Sequence, residues 1–172
     1  MSLKSELHTH IQSLRRYALV LTRNRDAAED LVQETLTKAI ARAETWQPGT
    51  ALRPWLFRIL HNTHVSDIRR RQVREVAAPD LPEPISPESQ QHHAELRQVL
   101  AALDRLPEAQ RAPIVLVALE GMSYKEAACS LDVPLGTFMS RLGRGREALR
   151  KLMDEPQPRN DSVFAVGGRH AT

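Results

Sequence analysis

The sequence predicts an all-α protein: two small helical domains joined by a Pro-rich acidic linker, the second domain containing a helix-turn-helix. Three observations carry that prediction. Apolar residues recur at steps of three and four along most of the chain. Only 4% of the 172 residues are aromatic and seven are glycine, and no stretch sustains the alternation of Val, Ile, Thr and aromatics that marks a strand. Between two helical sets, Pro79, Pro82, Pro84 and Pro87 fall together among acids and serines, which excludes helix there and predicts a solvated linker.

The elements follow in order. Leu3–Thr22 is a predicted helix, with Leu7, Ile11, Leu14, Ala18 and Leu21 on one stripe. Asp26, with Glu29 three residues on, is expected to cap a second helix running to about Ala43. That helix would bury Ala28, Leu31, Val32, Thr35, Ala39 and Ile40. Pro48-Gly49 is turn chemistry and breaks the chain. Pro54 then suits the opening of a third helix, because an N–H is not needed there. Its inward residues would be Trp55, Leu56, Ile59, Leu60, Thr63 and Ile68, and it ends on Arg69-Arg70-Arg71, which suits a helix C-terminus.

These helices define a first domain over residues 1–75, followed by the linker over 76–91. A second domain over 92–154 opens with a stripe of Leu96, Val99, Leu100, Leu103 and Leu106. Pro107 restarts a helix that ends at Gly121, with Pro113 expected to kink it or loosen its first turn. Residues 155–172, with Pro156, Pro158 and Gly167-Gly168, are expected to be disordered.

Ser123-Tyr124-Lys125-Glu126 is a capping box, and Ala127, Ala128 and Leu131 would be the buried side of the short helix after it. Asp132-Val133-Pro134 makes a turn, and a longer helix begins at Leu135-Gly136-Thr137. Two helices joined so tightly are the arrangement that sets a recognition helix in the DNA major groove. Opposite the buried Phe138, Leu142 and Leu149, the groove-facing positions are Thr137, Ser140, Arg141 and Arg144. An arginine here suits a guanine edge, and Arg146 a phosphate. Gly143 and Gly145 weaken the later half of this helix, which is expected to firm up on DNA.

Charge supports a polyanionic partner. The formal net charge is +3. Residues 45–76 carry six arginines against two acids (6 − 2 = +4), and residues 135–153 five cations against one acid (5 − 1 = +4). Residues 77–100 between them carry four acids against one arginine (1 − 4 = −3). Two basic stretches flanking an acidic one suggest two contacts on one polyanion.

Several classes are excluded. A single cysteine, Cys129, leaves no internal disulfide or cysteine-cluster zinc site and reads as an inert helix residue rather than a redox sensor. His61 and His64 lack the carboxylate cluster that a metal site would add. No apolar run of signal-peptide or membrane-spanning type occurs, so a cytoplasmic protein is expected. The sequence offers no nucleophile–base pair or phosphate loop, so neither enzyme activity nor a cofactor is expected.

The residues carry a resemblance. Ser123 to Ala128, Val133-Pro134-Leu135-Gly136-Thr137 and Ser140-Arg141-Leu142 with Arg144 and Arg146 resemble the promoter-reading end of the extracytoplasmic-function (ECF) group of bacterial sigma factors. Ala28 to Thr35 resembles the group's polymerase-binding helix, and Trp55 to Leu60 with Asn62 and Arg69-Arg70 its minus-ten-reading helix. The resemblance implies that Asp30, Leu31, Gln33, Glu34 and Thr37 dock on the clamp helices of the largest subunit of core RNA polymerase. It implies that the loop of Trp46, Gln47, Pro48, Gly49, Thr50 and Leu52, with Asn62, holds a flipped-out minus-ten base between an apolar wall and polar groups. Trp55 is assigned to the core. Arg58, Arg69, Arg70 and Arg71 would follow backbone phosphates. Leu135, Gly136, Thr137, Ser140, Arg141, Arg144 and Arg146 would read the minus-thirty-five duplex. An anti-sigma factor is implied as a further partner. Asp132 stands where the family often has glycine in the turn, and Phe138 where a smaller aliphatic is common.

Linker length adds a mechanical expectation. About eighteen residues reach at most ~60 Å and as a coil average ~25 Å, whereas elements two helical turns apart lie ~70 Å apart. The free protein is therefore expected to be compact, with its DNA surfaces partly covered, until polymerase spreads the domains. Two other functions compete. A stand-alone regulator would need a dimer surface or effector pocket, and a sigma-mimicking interaction protein would have no need of DNA-reading arginines.

Overall fold

The computed structural model describes residues 3–47, 49–74 and 92–154. These form seven helices and, among the described residues, no strand. The expected linker, tail and Pro48 lie outside them. The first group holds α1 (Leu3–Thr22), α2 (Arg25–Ala41) and α3 (Leu52–Arg74), with a single 3-10 turn at Ala43–Thr45. The second holds α4 (His92–Arg105), α5 (Glu108–Ala118), α6 (Tyr124–Ser130) and α7 (Leu135–Asp154).

Helix α1 buries Leu7, Leu14, Ala18 and Leu21 as its spacing predicts, and Tyr17 with them. Between α1 and α2 the chain turns at Arg23, whose φ of 56° is left-handed, and this sets Asn24 in extended backbone. Asn24, not Asp26, is thus the N-cap: its side chain accepts from the Ala27 N–H at 2.9 Å. Asp26 instead lies in the first turn, where a carboxylate favours the helix dipole. All the residues expected inside α2 are buried except Ile40, which is 48% exposed at the last turn.

Helix α3 is enclosed along its first half, where Leu52, Leu56, Phe57, Ile59 and Leu60 are all buried. Phe57 lies off the inward stripe, and the reason is tertiary: α3 packs against α1 and α2 and also against α6 of the second group. The Phe57 and Tyr17 rings meet at 5.3 Å.

In the second group α5 and α7 form the main contact, with α4 and α6 against α7. Leu103 and Leu106 are buried at the end of α4 and just beyond it, whereas Leu96 is 49% exposed. Helix α5 continues through Pro113 as one helix, ends at Ala118 rather than Gly121, and leaves through Gly121 at φ 62°. The Pro113 side chain is fully enclosed. Gly145 explains how α5 and α7 come so close. A Cβ there would lie 2.7 Å from the Gln110 carbonyl oxygen, whereas one at Gly143 would meet nothing within 4 Å. Gly145 is therefore a packing residue and not a softened part of a recognition helix. One apolar core runs through both groups.

Candidate nucleic-acid interface

The helix-turn-helix forms as its residues require. Ser123 Oγ accepts from the Glu126 N–H at 3.2 Å, and Glu126 accepts from the Ser123 N–H at 2.9 Å. The Ser123 backbone N–H, followed by its side chain, holds the Glu126 carboxyl below its ordinary pKa. Ala127, Ala128 and Leu131 are buried, as is Ser130. The chain reverses at Asp132, whose φ of 55° is a conformation that aspartate tolerates better than most residues. The Val133 N–H then reaches the Ala128 carbonyl at 3.1 Å, and the Phe138 N–H reaches Pro134 at 3.0 Å. Phe138 and Leu142 anchor α7, and Tyr124 meets the Phe138 ring at 5.9 Å.

That anchoring presents one face of α7 outward. Leu135, Gly136, Thr137, Ser140, Arg144 and Arg146 are exposed and Arg141 is half-buried. Arg146 donates to the Tyr124 hydroxyl at 3.3 Å; Arg141 and Arg144 have no ion pair among the described residues. A face of hydroxyls and of guanidinium groups without a carboxylate partner among the described residues suits base edges and phosphates of a duplex.

On α2, Asp30, Gln33 and Thr37 are exposed on successive turns and Glu34 is half-buried, its carboxylate 2.6 Å from Lys38 Nζ. Leu31 departs from the expectation. At 4% exposure it belongs to the core and supports this face from beneath.

A cleft of about 420 Å³ opens between α2 and α3. Asn62 and Arg58 line it as the sequence suggests, but its aromatic wall is Trp55, with Ile59 beneath. Trp55 is thus half-buried, packed against the core as expected and also lining this cleft. Trp46 and Leu52, expected to form that wall, do not line it: Leu52 is buried under the helix start, and the indole N–H of Trp46 is buried without an acceptor among the described residues. Gln47, Gly49 and Thr50 belong to the same loop, Gly49 and Thr50 exposed and Gly49 at φ 92°. Lys38, Arg42, Thr63 and Ser66 also border the cleft, and periodicity alone does not mark them for such a role. Further along α3, Arg69, Arg70 and Arg71 are exposed, with Arg70 3.2 Å from Asp67.

Ion pairs and one histidine–carboxylate hydrogen bond join the two groups. The side chain of Glu120, fully enclosed, receives Arg16 at 3.2 and 3.1 Å and Arg53 at 2.9 Å. Arg53 also donates to the Glu120 carbonyl and lies 5.7 Å from the Phe57 ring centre. Arg58 pairs with Asp132 at 2.8 Å, Arg23 with Asp104 at 3.0 Å and His64 with Glu108 at 3.2 Å. Beside the last pair, Tyr17 and His61 hydrogen-bond at 3.2 Å. Burial lowers the His61 pKa and raises that of Tyr17. Burial alone would raise the Glu108 carboxyl, but the His64 hydrogen bond and neighbouring charges hold it low. His61 and His64 therefore have structural partners, and no group able to hold a metal ion occurs among the described residues. No described helix is long and apolar enough to cross a membrane.

Comparison with known proteins matches each helical group separately. Residues 7–61 match the family model described as the Sigma2 domain of PhyR, and residues 96–149 the one described as Sigma-70, region 4. The chain is 40% identical over 173 aligned residues to the ECF RNA polymerase sigma factor EcfG of Rhodopseudomonas palustris, covering 97% of this chain and 96% of that one. Among solved structures, the sigma factor RpoE of Bartonella quintana, in complex with the anti-sigma factor NepR, superimposes with a TM-score of 0.77. It is 34% identical, over 90% of this chain and 98% of that one. CnrH in complex with the cytosolic domain of CnrY gives a TM-score of 0.66 at 28% identity, over 88% and 86%.

Proposed function

The chain belongs to the ECF RNA polymerase sigma factors, and from that premise we propose how its residues divide the work. The first group, residues 1–75, docks on core RNA polymerase through Asp30, Gln33, Glu34 and Thr37. It takes the minus-ten element at the α2–α3 cleft, where Trp55 and Ile59 offer an apolar wall and Asn62 a polar edge. The loop residues Gln47, Gly49 and Thr50 border the strand, and Arg58, Arg69, Arg70 and Arg71 neutralise phosphates. The second group, residues 92–154, reads the minus-thirty-five duplex through Leu135, Gly136, Thr137, Ser140, Arg141, Arg144 and Arg146. The chain bridges the two through residues 76–91.

The observation that carries this division is the pair of separate basic surfaces. One is a cleft on the first group; the other is a helix face on the second, anchored by Phe138 and Leu142. A groove-reading helix needs a rigid exposed face, whereas a displaced base needs a recess. Each group supplies what its element demands. We further propose that an anti-sigma factor binds this chain, as NepR binds RpoE of Bartonella quintana, and that the protein works in the cytoplasm without enzyme activity of its own.

A sigma-mimicking role is the second reading, because the match over residues 7–61 is to the Sigma2 domain of PhyR. The exposed face around Arg144 argues against it, since a mimic has no need of a DNA-reading arginine. Docking is tested by replacing Asp30 and Glu34 with Ala and measuring co-purification with core polymerase. Loss of binding with unchanged thermal unfolding is expected. Unchanged binding would move the docking surface elsewhere.

A further inference from the structure

The outward face of α7 is not polar throughout. Beside Ser140 and Arg144 stand Leu135 and Met139, one helical turn apart and 38% and 51% exposed. Neither belongs to the apolar core. The surface neighbours of Met139 on a helix are Leu135, Gly136, Leu142 and Gly143. Leu142 is buried and the two glycines bring no side chain, so Leu135 and Met139 stand above a low backbone. Gly136 and Gly143 differ from Gly145 in having no packing reason within the protein: a Cβ at either would meet nothing within 4 Å. A glycine inside a helix costs about 1 kcal/mol against alanine. Such a residue with open space before it suits a backbone that a ligand approaches closely. Helical side chains also lean toward the N-terminus, so a larger residue in place of Gly143 would lie over Met139.

The approaching body is an anion, because Arg141, Arg144 and Arg146 share the helix. In a duplex the apolar group that the major groove presents is the C5 methyl of thymine. We infer that Leu135 and Met139 read thymine methyl groups in the major groove, with Gly136 and Gly143 giving the clearance to reach them. The inference rests on the proposed reading of the minus-thirty-five duplex by α7 and names a base feature that this reading recognises. By helical period Leu135 and Met139 lie on one side of the outward face, and Thr137, Arg141 and Arg144 on the other. Hydrogen bonding and methyl contact are thus divided between the two sides. Leu135 and Met139 are about 6 Å apart along the axis, close to two base-pair steps of ~3.4 Å. The strip therefore covers thymines within about two steps of one another, and the unbranched Met139 thioether adapts to where the methyl falls.

The test uses the full chain assembled with core polymerase. Duplexes randomised over the upstream element are selected for binding. The enriched duplex is then remade with deoxyuridine for thymine, one position at a time, and titrated by gel shift. Deoxyuridine keeps every hydrogen-bonding group and lacks only the methyl. At one or two positions the swap is expected to weaken binding about fourfold, the effect of one buried methyl, and elsewhere to change little. Met139→Ala should bind thymine and deoxyuridine duplexes alike at one of those positions, and Leu135→Ala at the other. Both side chains are exposed, so thermal unfolding of the variants should match that of the native chain. An enriched duplex indifferent to the swap at every position overturns the inference alone, leaving the minus-thirty-five reading in place and the two side chains to a protein contact. A loss that persists in both variants also overturns it, because the methyl then acts through DNA shape or through other residues. Should no upstream duplex be enriched, the inference falls together with the reading beneath it.

Discussion

The two surfaces proposed for DNA are built from the same residue types and differ in what surrounds them. On α7 the groove-facing residues stand clear, and Arg144 has no ion pair among the described residues. On α3, Arg58 at the cleft is held by Asp132 of the other group. The α7 face is fixed from behind by Phe138 and Leu142, whereas Arg58 on α3 is met from in front by Asp132. A duplex can be read by a face that is already in place. A displaced base needs a recess, and at the α2–α3 cleft the Arg58 guanidinium is already engaged.

The comparison breaks most sharply on α7. Replacing both Arg141 and Arg144 with Ala is expected to weaken minus-thirty-five duplex binding by about 1–3 kcal/mol per base that goes unread, with sequence preference relaxed. Gel-shift titration of the polymerase-bound protein measures this. A uniform weakening across sequences would make both arginines phosphate ligands instead.

The second break is in the support behind that face. A Cβ at Gly145 would press on the Gln110 carbonyl, which is backbone and cannot swing aside. Gly145→Ala is expected to destabilise the protein by about 1–3 kcal/mol through overpacking. Gly143→Ala, in open space on the same helix, should stabilise by up to ~1 kcal/mol. Chemical denaturation of the two variants separates them, and equal effects would refute the close approach of α5 and α7.

The smallest effect concerns pH at the contact between the groups. Burial lowers the His61 pKa in the fold, so the unfolded chain takes up protons more readily near the ordinary value of 6.5. Stability supplied by neutral His61 is complete above that value and declines as pH falls toward the folded pKa. Thermal stability should therefore fall from about pH 7.5 to about pH 5.5, and His61→Gln should flatten the slope. Glu108 acts lower: its stabilisation is present above its ordinary value of 4.5 and disappears as pH falls through the depressed one. A slope unchanged by His61→Gln would place the sensitive group elsewhere.

Local chemistry makes much of this legible in the sequence. The Ser123–Glu126 box, the turn at Asp132 and the buried side of α2 follow from neighbours a few residues apart, where capping and helical period act. Asn24 is hidden because Asp26 with Glu29 offers an equally good box, and only the left-handed turn at Arg23 decides between them. Phe57 and Glu120 are hidden for another reason. Their surroundings include the other helical group, with Glu120 67 and 104 residues from its two arginines, and no period reaches that far. Trp55 packs against the core as a large aromatic on an inward stripe should, and only its second role at a cleft is hidden, because that depends on how α2 and α3 part. Gly145 looks like weakness in a helix until α5 is placed beside it.

The division of labour is tested most directly by run-off transcription with purified core polymerase on a randomised promoter library, comparing the native chain with its Arg141→Ala, Arg144→Ala variant. The native chain should enrich a two-part motif with elements about two helical turns apart, and the variant should lose the upstream part alone. Enrichment of a single element, or of none, would contradict a two-surface promoter reader.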